Sequence, residues 1–218
     1  METVPHSSGK TAELANSLTH GLGATLGAIA LILMVFQASL YGTARHIVGA
    51  AVFGAALVLL YTMSTLYHAF RGPRVKRVFK ILDHSAIYVL IAGTYTPFCL
   101  STLQGAWGWS LFGMIWSLAL LGISFKTVFT GRFEIFSTIV YLAMGWMVMI
   151  AAGPLWRLLP RGGLYWLMGG GLFYTLGVGF YSWKNLRFHH AIWHLFVLGG
   201  SLCHVAAVMG FVIPLPKS

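Results

Sequence analysis

The sequence predicts an all-α integral membrane protein, a seven-transmembrane helix bundle with a cytoplasmic N-terminus and its C-terminus outside. Three observations support this prediction: the composition, the number of long apolar segments, and the distribution of positive charge between them. Of the 218 residues, 58% are hydrophobic and 8% are charged, and the mean hydropathy is +0.79. Soluble domains carry about 25% charged residues, so this composition excludes an ordinary soluble domain.

Seven segments are long and apolar enough to cross a membrane, which takes about 20 mostly apolar residues per helix. They are 18–39, 46–69, 80–101, 107–126, 134–153, 163–183 and 190–213. The gaps between them are short and leave no room for a second domain. The sequence therefore predicts a polar N-terminal segment over 1–15 and a single transmembrane domain over 16–214.

Lysine and arginine are distributed unequally between the two sides of this predicted bundle. Ten lie on the side of the N-terminus, half of them in the stretch "RGPRVKRVFK", and four lie on the other side. Because positive charge favours the cytoplasmic side, the N-terminus is predicted to be inside. Basic residues in short gaps between apolar runs also favour contact with anionic lipid over nucleic-acid binding.

Polar residues from four spans are predicted to lie at one depth, near the cytoplasmic leaflet. This follows because successive spans alternate in direction, so the start of one odd-numbered span lies level with the end of an even-numbered one. The residues are Glu13, Asn16 and His20 in span 1, Ser64 and His68 in span 2, Asp83 and His84 in span 3, and His190 and His194 in span 7.

The spacing of the histidines favours a metal site. Residues four apart share a helix face, so His190 and His194 present two imidazoles to one point, as in HExxH zinc helices. Catalytic zinc takes three protein ligands and a water, and His68 is the best-placed third ligand. The pattern therefore predicts a Zn²⁺ site formed by these three histidines.

Asp83 and Ser64 are the candidate catalytic residues beside this metal. A carboxylate within a membrane normally has a partner or a task, and Asp83 could accept a proton from the water at the metal. Ser64, one turn from His68, could donate to a developing oxyanion. Four further residues are candidates for supporting contacts around the site: His20, Asn16, Glu13 and His84.

Two other interpretations of the histidines stay open. They could form an interhelical hydrogen-bond network of the kind that joins membrane helices. They could also bind haem, because His190 and His204 share a helix face, although no second span carries a matching pair. His189 is expected to be a boundary residue, and His204 has no assigned role.

Four motifs resemble those of the bacterial hemolysin III family, a branch of the progestin and adipoQ receptor superfamily. They are "ELANSLTH", "STLYH", "DHSAIYVLIAGTYTP" and "HAIWHLFVLGGSLCH", in the order in which that family carries them. The resemblance implies a seven-helix fold with a cytoplasmic N-terminus. It also implies zinc bound by His68, His190 and His194, with Asp83 hydrogen-bonded to the zinc-bound water and Ser64 beside the metal.

The superfamily includes alkaline ceramidases, so the resemblance implies zinc-dependent hydrolysis of a lipid amide or ester. The expected location is a bacterial inner membrane, where membrane lipids would be the partners and membrane homeostasis the physiological setting. One alternative is a non-catalytic sensor or regulator of membrane state with a structural zinc, closed by His20 or His84 as a fourth ligand. A further alternative is a haemolysin or pore former, but the sequence shows no amphipathic pore lining.

Overall fold

A computed structural model describes residues 9–215 of the chain. The first eight residues of the predicted segment 1–15, and Lys217, lie outside the described residues. The helices are α1 Lys10–Tyr41, α2 Ala44–Ala69, α3 Pro73–Pro97, α4 Gly105–Phe129, α5 Glu134–Trp146, α6 Ala152–Leu158, α7 Arg161–Ser182 and α8 His189–Ala207. Helices α3 and α8 continue as π-helical turns over Phe98–Leu103 and Val208–Val212, and a 3₁₀ segment, Met147–Ala151, joins α5 to α6.

Within residues 9–215, six helices are long and apolar enough to cross a membrane. They are α1, α2, α3 with its π turn, α4, the continuous segment Glu134–Leu158, and α8 with its π turn. The predicted span 163–183 forms helix α7, which falls outside this set because its seven glycines contribute little hydropathy. The prediction of an all-helical membrane protein is confirmed, while the seventh span and the orientation of the termini stay predictions.

Two helices begin earlier than the apolar segments that predicted them. Helix α1 starts at Lys10, inside the predicted polar segment, and its 32 residues extend about 48 Å at 1.5 Å per residue. This exceeds the hydrocarbon thickness of about 30 Å. Helix α3 starts at Pro73, a residue suited to the first helical turn because it lacks an N–H. Asp83 therefore lies about ten residues into α3 and does not open it.

The outside of the bundle is apolar, as a lipid-facing surface requires. Large hydrophobic side chains are exposed along its helices, including Ile135, Val128 and Leu176. Soluble monomers rarely expose contiguous apolar surface of this extent. Helix α3 is the most enclosed, with 72% of its most apolar window buried, against 17% for Glu134–Leu158. The core is therefore built around α3.

Small residues let the helices approach closely, as is typical of membrane bundles. A Cβ atom on Gly23 would lie 2.6 Å from the Tyr61 ring, and one on Gly122 would overlap the Tyr88 ring. Tyr61 and Tyr88 are both almost completely buried. The α1–α2 and α3–α4 packing therefore depends on the absence of a side chain at these two glycines.

Tyr95 of α3 supports the break between α5 and the 3₁₀ segment. Its hydroxyl lies 2.8 and 2.7 Å from the carbonyl oxygens of Met144 and Gly145, and it accepts the N–H of Val148 at 2.8 Å. Backbone groups freed inside a membrane need such partners because no water is available there. The single hydroxyl therefore allows a helix to change its winding within the bundle.

Antiparallel packing collects the polar residues at one end of the molecule. Helix α2 lies between α1 and α3, and α8 packs against α1 and α7. The start of α1, the end of α2, the start of α3 and the start of α8 therefore meet. We call this end, which carries His20, His68, His84 and His190, the histidine end.

Gly122→Ala is expected to lower the free energy of unfolding by about 1–3 kcal/mol, because overpacking displaces buried neighbours. Gly113→Ala is the matched control on the same helix, since nothing lies within 4 Å of the position that its Cβ atom would occupy. The control should be neutral or slightly stabilising, because alanine favours helix over glycine. Thermal unfolding in detergent measures both, and equal stabilities would contradict the close α3–α4 contact.

Candidate metal centre

Three histidines from two helices form a group that could hold a metal ion. His68 from the end of α2 and His190 and His194 from the start of α8 each offer a ring nitrogen, and these nitrogens all lie within 4.8 Å of one another. The ring centroids of His190 and His194 are 4.5 Å apart, and His68 lies 5.0 and 5.3 Å from them. The structure thus brings together the three residues that the sequence predicts as metal ligands.

Glu13 of α1 orients the His68 ring. The Nδ1 atom of His68 lies 2.7 Å from Glu13 Oε2, and Lys76 Nζ lies 2.7 Å from the other carboxylate oxygen. A proton on Nδ1 that is donated to Glu13 leaves Nε2 as the free lone pair. Hydrogen bonds of this kind set the tautomer and orientation of metal-binding histidines. Asn16 Nδ2 lies 3.5 Å from the same Nδ1 atom, but both atoms are donors in this tautomer, so Glu13 is the partner that sets it.

The first helix also orients His194. Its Nδ1 atom lies 3.2 Å from the backbone oxygen of Asn16 and 3.1 Å from Thr19 Oγ1. Both contacts are satisfied when Nδ1 donates, which again leaves Nε2 available. Thr19 was not among the predicted residues, and neither its position nor a backbone carbonyl carries a sequence pattern that indicates this role.

The donor set fits a divalent transition metal such as zinc. His68 Nε2 is buried and has no hydrogen-bond partner within residues 9–215, as expected of an atom kept for a ligand. Zinc–nitrogen bonds of about 2.0–2.1 Å bring neighbouring nitrogens to about 3.4 Å in tetrahedral geometry. The observed separations, all within 4.8 Å, are of this order. Three neutral imidazoles also suit copper, iron or nickel, so the ligands alone do not select the metal.

Asp83 and Ser64 lie on the wall of the cavity beside the histidines, and both are buried. Asp83 Oδ2 lies 4.0 Å from His84 Nδ1. That nitrogen lies 2.7 Å from the carbonyl oxygen of Lys80, one turn earlier, and donates to it. His84 is therefore held against its own helix and is not a member of the metal-binding group.

His20 packs on the metal-binding group without joining it. Its ring stacks on His194 with centroids 3.4 Å apart and meets the edge of Tyr61 at 5.0 Å. Both of its ring nitrogens are buried and lack a partner in the described part of the chain. His20, one candidate for the fourth ligand of a structural site, is thus not a member of the group of three.

A cavity of about 640 Å³ extends from this group into the bundle. All nine polar residues that the sequence predicts at this end line the cavity: Glu13, Asn16, His20, Ser64, His68, Asp83, His84, His190 and His194. Its far part is lined by apolar residues: Leu90, Phe98, Leu111, Leu155 and Leu167. The volume is within the range of small-molecule sites, about 300–1,000 Å³. A polar end beside the histidines and an apolar remainder suit an amphipathic molecule.

The remaining histidines of α8 have distinct positions. His204 lies deep in the cavity wall, stacked on Tyr174 and tightly packed against Gly170. It is thus separate from the group of three. His189 begins α8, as expected of a boundary residue, but its side chain is 6% exposed and lines the cavity.

Comparisons with known proteins match most of the chain. The family described as "Haemolysin-III related" matches residues 8–205. "Hemolysin-3" of Bacillus cereus is 50% identical over 202 residues, 93% of this chain and 92% of that protein. The "Hemolysin-3 homolog" of Bacillus subtilis (strain 168) is 48% identical over 204 residues, 94% of this chain and 96% of that protein.

A more distant relative supports the wider superfamily. The human "Monocyte to macrophage differentiation factor" is 27% identical over 159 residues, which are 70% of this chain and 66% of that protein. The resemblance predicted from the four motifs is confirmed by the family match and the two bacterial relatives. The chain is a member of the haemolysin-III-related family of membrane proteins.

Proposed function

We propose that this protein is a zinc-dependent membrane hydrolase that cleaves a lipid amide or ester. The observation that carries the proposal is the group His68, His190 and His194, which opens onto a cavity whose wall also holds Asp83. A buried carboxylate, a metal-binding group and an apolar cavity in one place are the features expected of a hydrolytic site.

Three protein ligands favour catalysis over a structural role. Structural zinc sites are usually closed by four protein ligands, whereas catalytic sites keep one position open. When bound, zinc would polarise a carbonyl oxygen and lower the pKa of a coordinated water. The protein's part is to hold His68, through Glu13, and His194, through Asn16 and Thr19, in the tautomer that leaves Nε2 available.

Asp83 is proposed as the general base and Ser64 as a donor to the carbonyl oxygen of the substrate. Both are buried, so their charges and dipoles act in an environment with little water to screen them. His84 lies next to Asp83 and is positioned by its bond to Lys80. His20, stacked on His194, is proposed to contact the substrate, because it lines the cavity and both of its ring nitrogens lack partners in the described residues.

The proposed orientation places the site in the inner leaflet of a bacterial inner membrane. Helix α7 is proposed as the sixth of seven spans, since its 22 residues are long enough to cross. The ten basic residues on the N-terminal side, against four opposite, support a cytoplasmic N-terminus. A lipid would then enter laterally from that leaflet, and the physiological setting would be membrane homeostasis.

Purified protein is expected to contain one zinc ion per chain, and the double variant His190→Ala/His194→Ala is expected to contain none. His46→Ala is the control, because His46 lies at the opposite end and contacts Thr43. Metal analysis measures the content. Removing zinc with a chelator should lower the thermal unfolding temperature of the wild type and of His46→Ala but not of the double variant, since a ligand of the folded state stabilises it. Zinc retained by the double variant would contradict the site.

Asp83→Asn is expected to reduce hydrolysis of a fluorescent acyl-amide lipid by about 10²–10⁴-fold, the usual contribution of a general base. The substitution keeps the size of the side chain and removes its ability to accept a proton. Zinc content should be unchanged, since Asp83 is not among the three ligands. Turnover at the wild-type rate would refute the assignment of Asp83.

Glu13→Gln is expected to weaken zinc affinity by about 10–100-fold, as loss of a partner of a metal-binding histidine does. Lys76→Met should have a smaller effect, because Lys76 contacts Glu13 and not His68. Glu134→Gln is the matched control, since Glu134 pairs with Lys80 at the same end. Competition with a chromogenic chelator measures the affinities, and equal values for the Glu13 and Glu134 variants would contradict the orienting role.

A further inference from the structure

Lys126 is a buried cation on the cavity wall. It lies near the end of α4 at the histidine end, its side chain is fully buried, and it lines the same cavity as the three histidines. Among residues 9–215, its Nζ atom has no hydrogen-bond partner and no carboxylate within 4.0 Å. The sequence places Lys126 at the boundary of a loop, whereas the structure encloses it.

An unpaired ammonium group is costly at such a position. Isolated charges lose far more by leaving water than neutral polar groups do, so buried charges are normally paired. Ionisable residues inside membrane proteins accordingly mark ligand or ion sites. Lys126 therefore indicates an anionic partner that is not part of the chain.

The other lysines of the cavity wall already have partners. Lys80 lies 3.4 Å from Glu134, and Lys184 lies 4.1 Å from the centre of the Tyr181 ring. Of the carboxylates, Glu13 is engaged by Lys76 and His68, whereas Asp83 lies 4.0 Å from a His84 nitrogen that bonds to the Lys80 carbonyl. Lys126 is the lysine on this wall that lacks a partner in the described chain.

A basic cleft adjoins the cavity at this end. The cleft has a volume of about 310 Å³ and is lined by Lys76, Arg77 and Lys80 together with the α4–α5 turn. It shares Tyr67 and Lys80 with the cavity wall. Positive potential from this cleft favours an anion at this end of the cavity.

The rest of the cavity selects an apolar chain, because its far part is lined by leucine and phenylalanine side chains. A free anion would leave this part of the volume without a matching group. A lipid has its charged head group at the membrane surface and its acyl chains at depth. The cavity has the matching arrangement, because Lys126 lies at the histidine end and the apolar lining lies deeper.

We propose that the cavity takes a lipid with an anionic head group, a phosphate or a carboxylate, and that Lys126 binds this group, flanked by Lys80 and Lys184. The proposal rests on the proposed function in that the same cavity would hold the substrate, and it narrows that substrate from any lipid amide or ester to an anionic one. It requires no chemistry at Lys126, which binds charge and forms no bond with the ligand.

The test compares Lys126→Met with Lys126→Arg in purified full-length protein. The protein is incubated in neutral detergent with equal amounts of phosphatidylglycerol, a fatty acid and diacylglycerol of the same chain length, and bound lipid is quantified by mass spectrometry. The wild type is expected to prefer an anionic lipid over diacylglycerol at least tenfold. Lys126→Met should lose that preference, and Lys126→Arg should keep it. Equal binding of charged and neutral lipids by the wild type overturns the proposal.

Arg157→Met is the charge-matched control, because Arg157 is an exposed basic residue of α6, away from the cavity. It should retain the wild-type preference, and its loss would show a general surface effect and overturn the assignment. Without lipid, Lys126→Met should unfold at the same or a higher temperature than the wild type, since an unpaired buried charge is removed. A lower unfolding temperature would reveal a structural partner and overturn the proposal.

Two further experiments test whether the anion belongs to a lipid and whether it binds at Lys126. Inorganic phosphate should not displace bound phosphatidylglycerol, and displacement would assign the site to a free anion instead of a lipid. The zinc-free double variant His190→Ala/His194→Ala should keep the preference for anionic lipid. Loss of the preference in that variant would place the anion at the metal and overturn the role of Lys126. Absence of lipid hydrolysis in the wild type refutes the proposed function without affecting these binding results.

Discussion

The contact of α1 with the two imidazole-bearing helices is the interaction on which the candidate site depends. Glu13 accepts from His68 of α2, and the Asn16 carbonyl with the Thr19 hydroxyl accepts from His194 of α8. Helix α1 itself contributes no ligand to the group of three. Its role is to hold two rings from different helices in one tautomer, so the geometry of the site depends on how closely α1 packs. Gly23 against Tyr61 permits that approach.

The absence of water inside a bilayer explains the arrangement of the remaining polar groups. Tyr95 serves the backbone break between α5 and the 3₁₀ segment, and Tyr61 and Tyr174 both bond to Ser201. Polar groups of this kind, which have hydrogen-bond partners within the protein, join the helices of the bundle. Most of the groups without a partner in residues 9–215 belong to residues that line the cavity, among them His68, His20 and Lys126, whereas Ser85 and Ser101 do not. The distribution indicates that this end of the protein is completed by molecules other than the chain.

The sequence predicted the ligand group because helical period and depth are both visible in it. Four-residue spacing paired His190 with His194, and the alternation of spans placed His68 level with them. Thr19 and the Asn16 carbonyl were not predictable, since their roles depend on the rotation of α1 about its axis. Lys126 was predicted only as the last residue of the span 107–126, because apolar length marks where a span ends but not which side chain at that end is buried.

The predicted seventh span, which forms α7, shows a second limit of prediction from composition. Helix α7 carries seven glycines, which reduce its hydropathy and also allow close packing on α8, where Trp193 and Phe196 fill the space beside Gly177. Much of α7 still faces outward, since its large apolar side chains Tyr165, Leu172 and Leu176 are exposed and only four of its 22 residues are buried. The length of the apolar segment predicts this helix, whereas mean hydropathy averages those side chains with the glycines and falls short. Its inner side lines the cavity through Tyr174 and Tyr181.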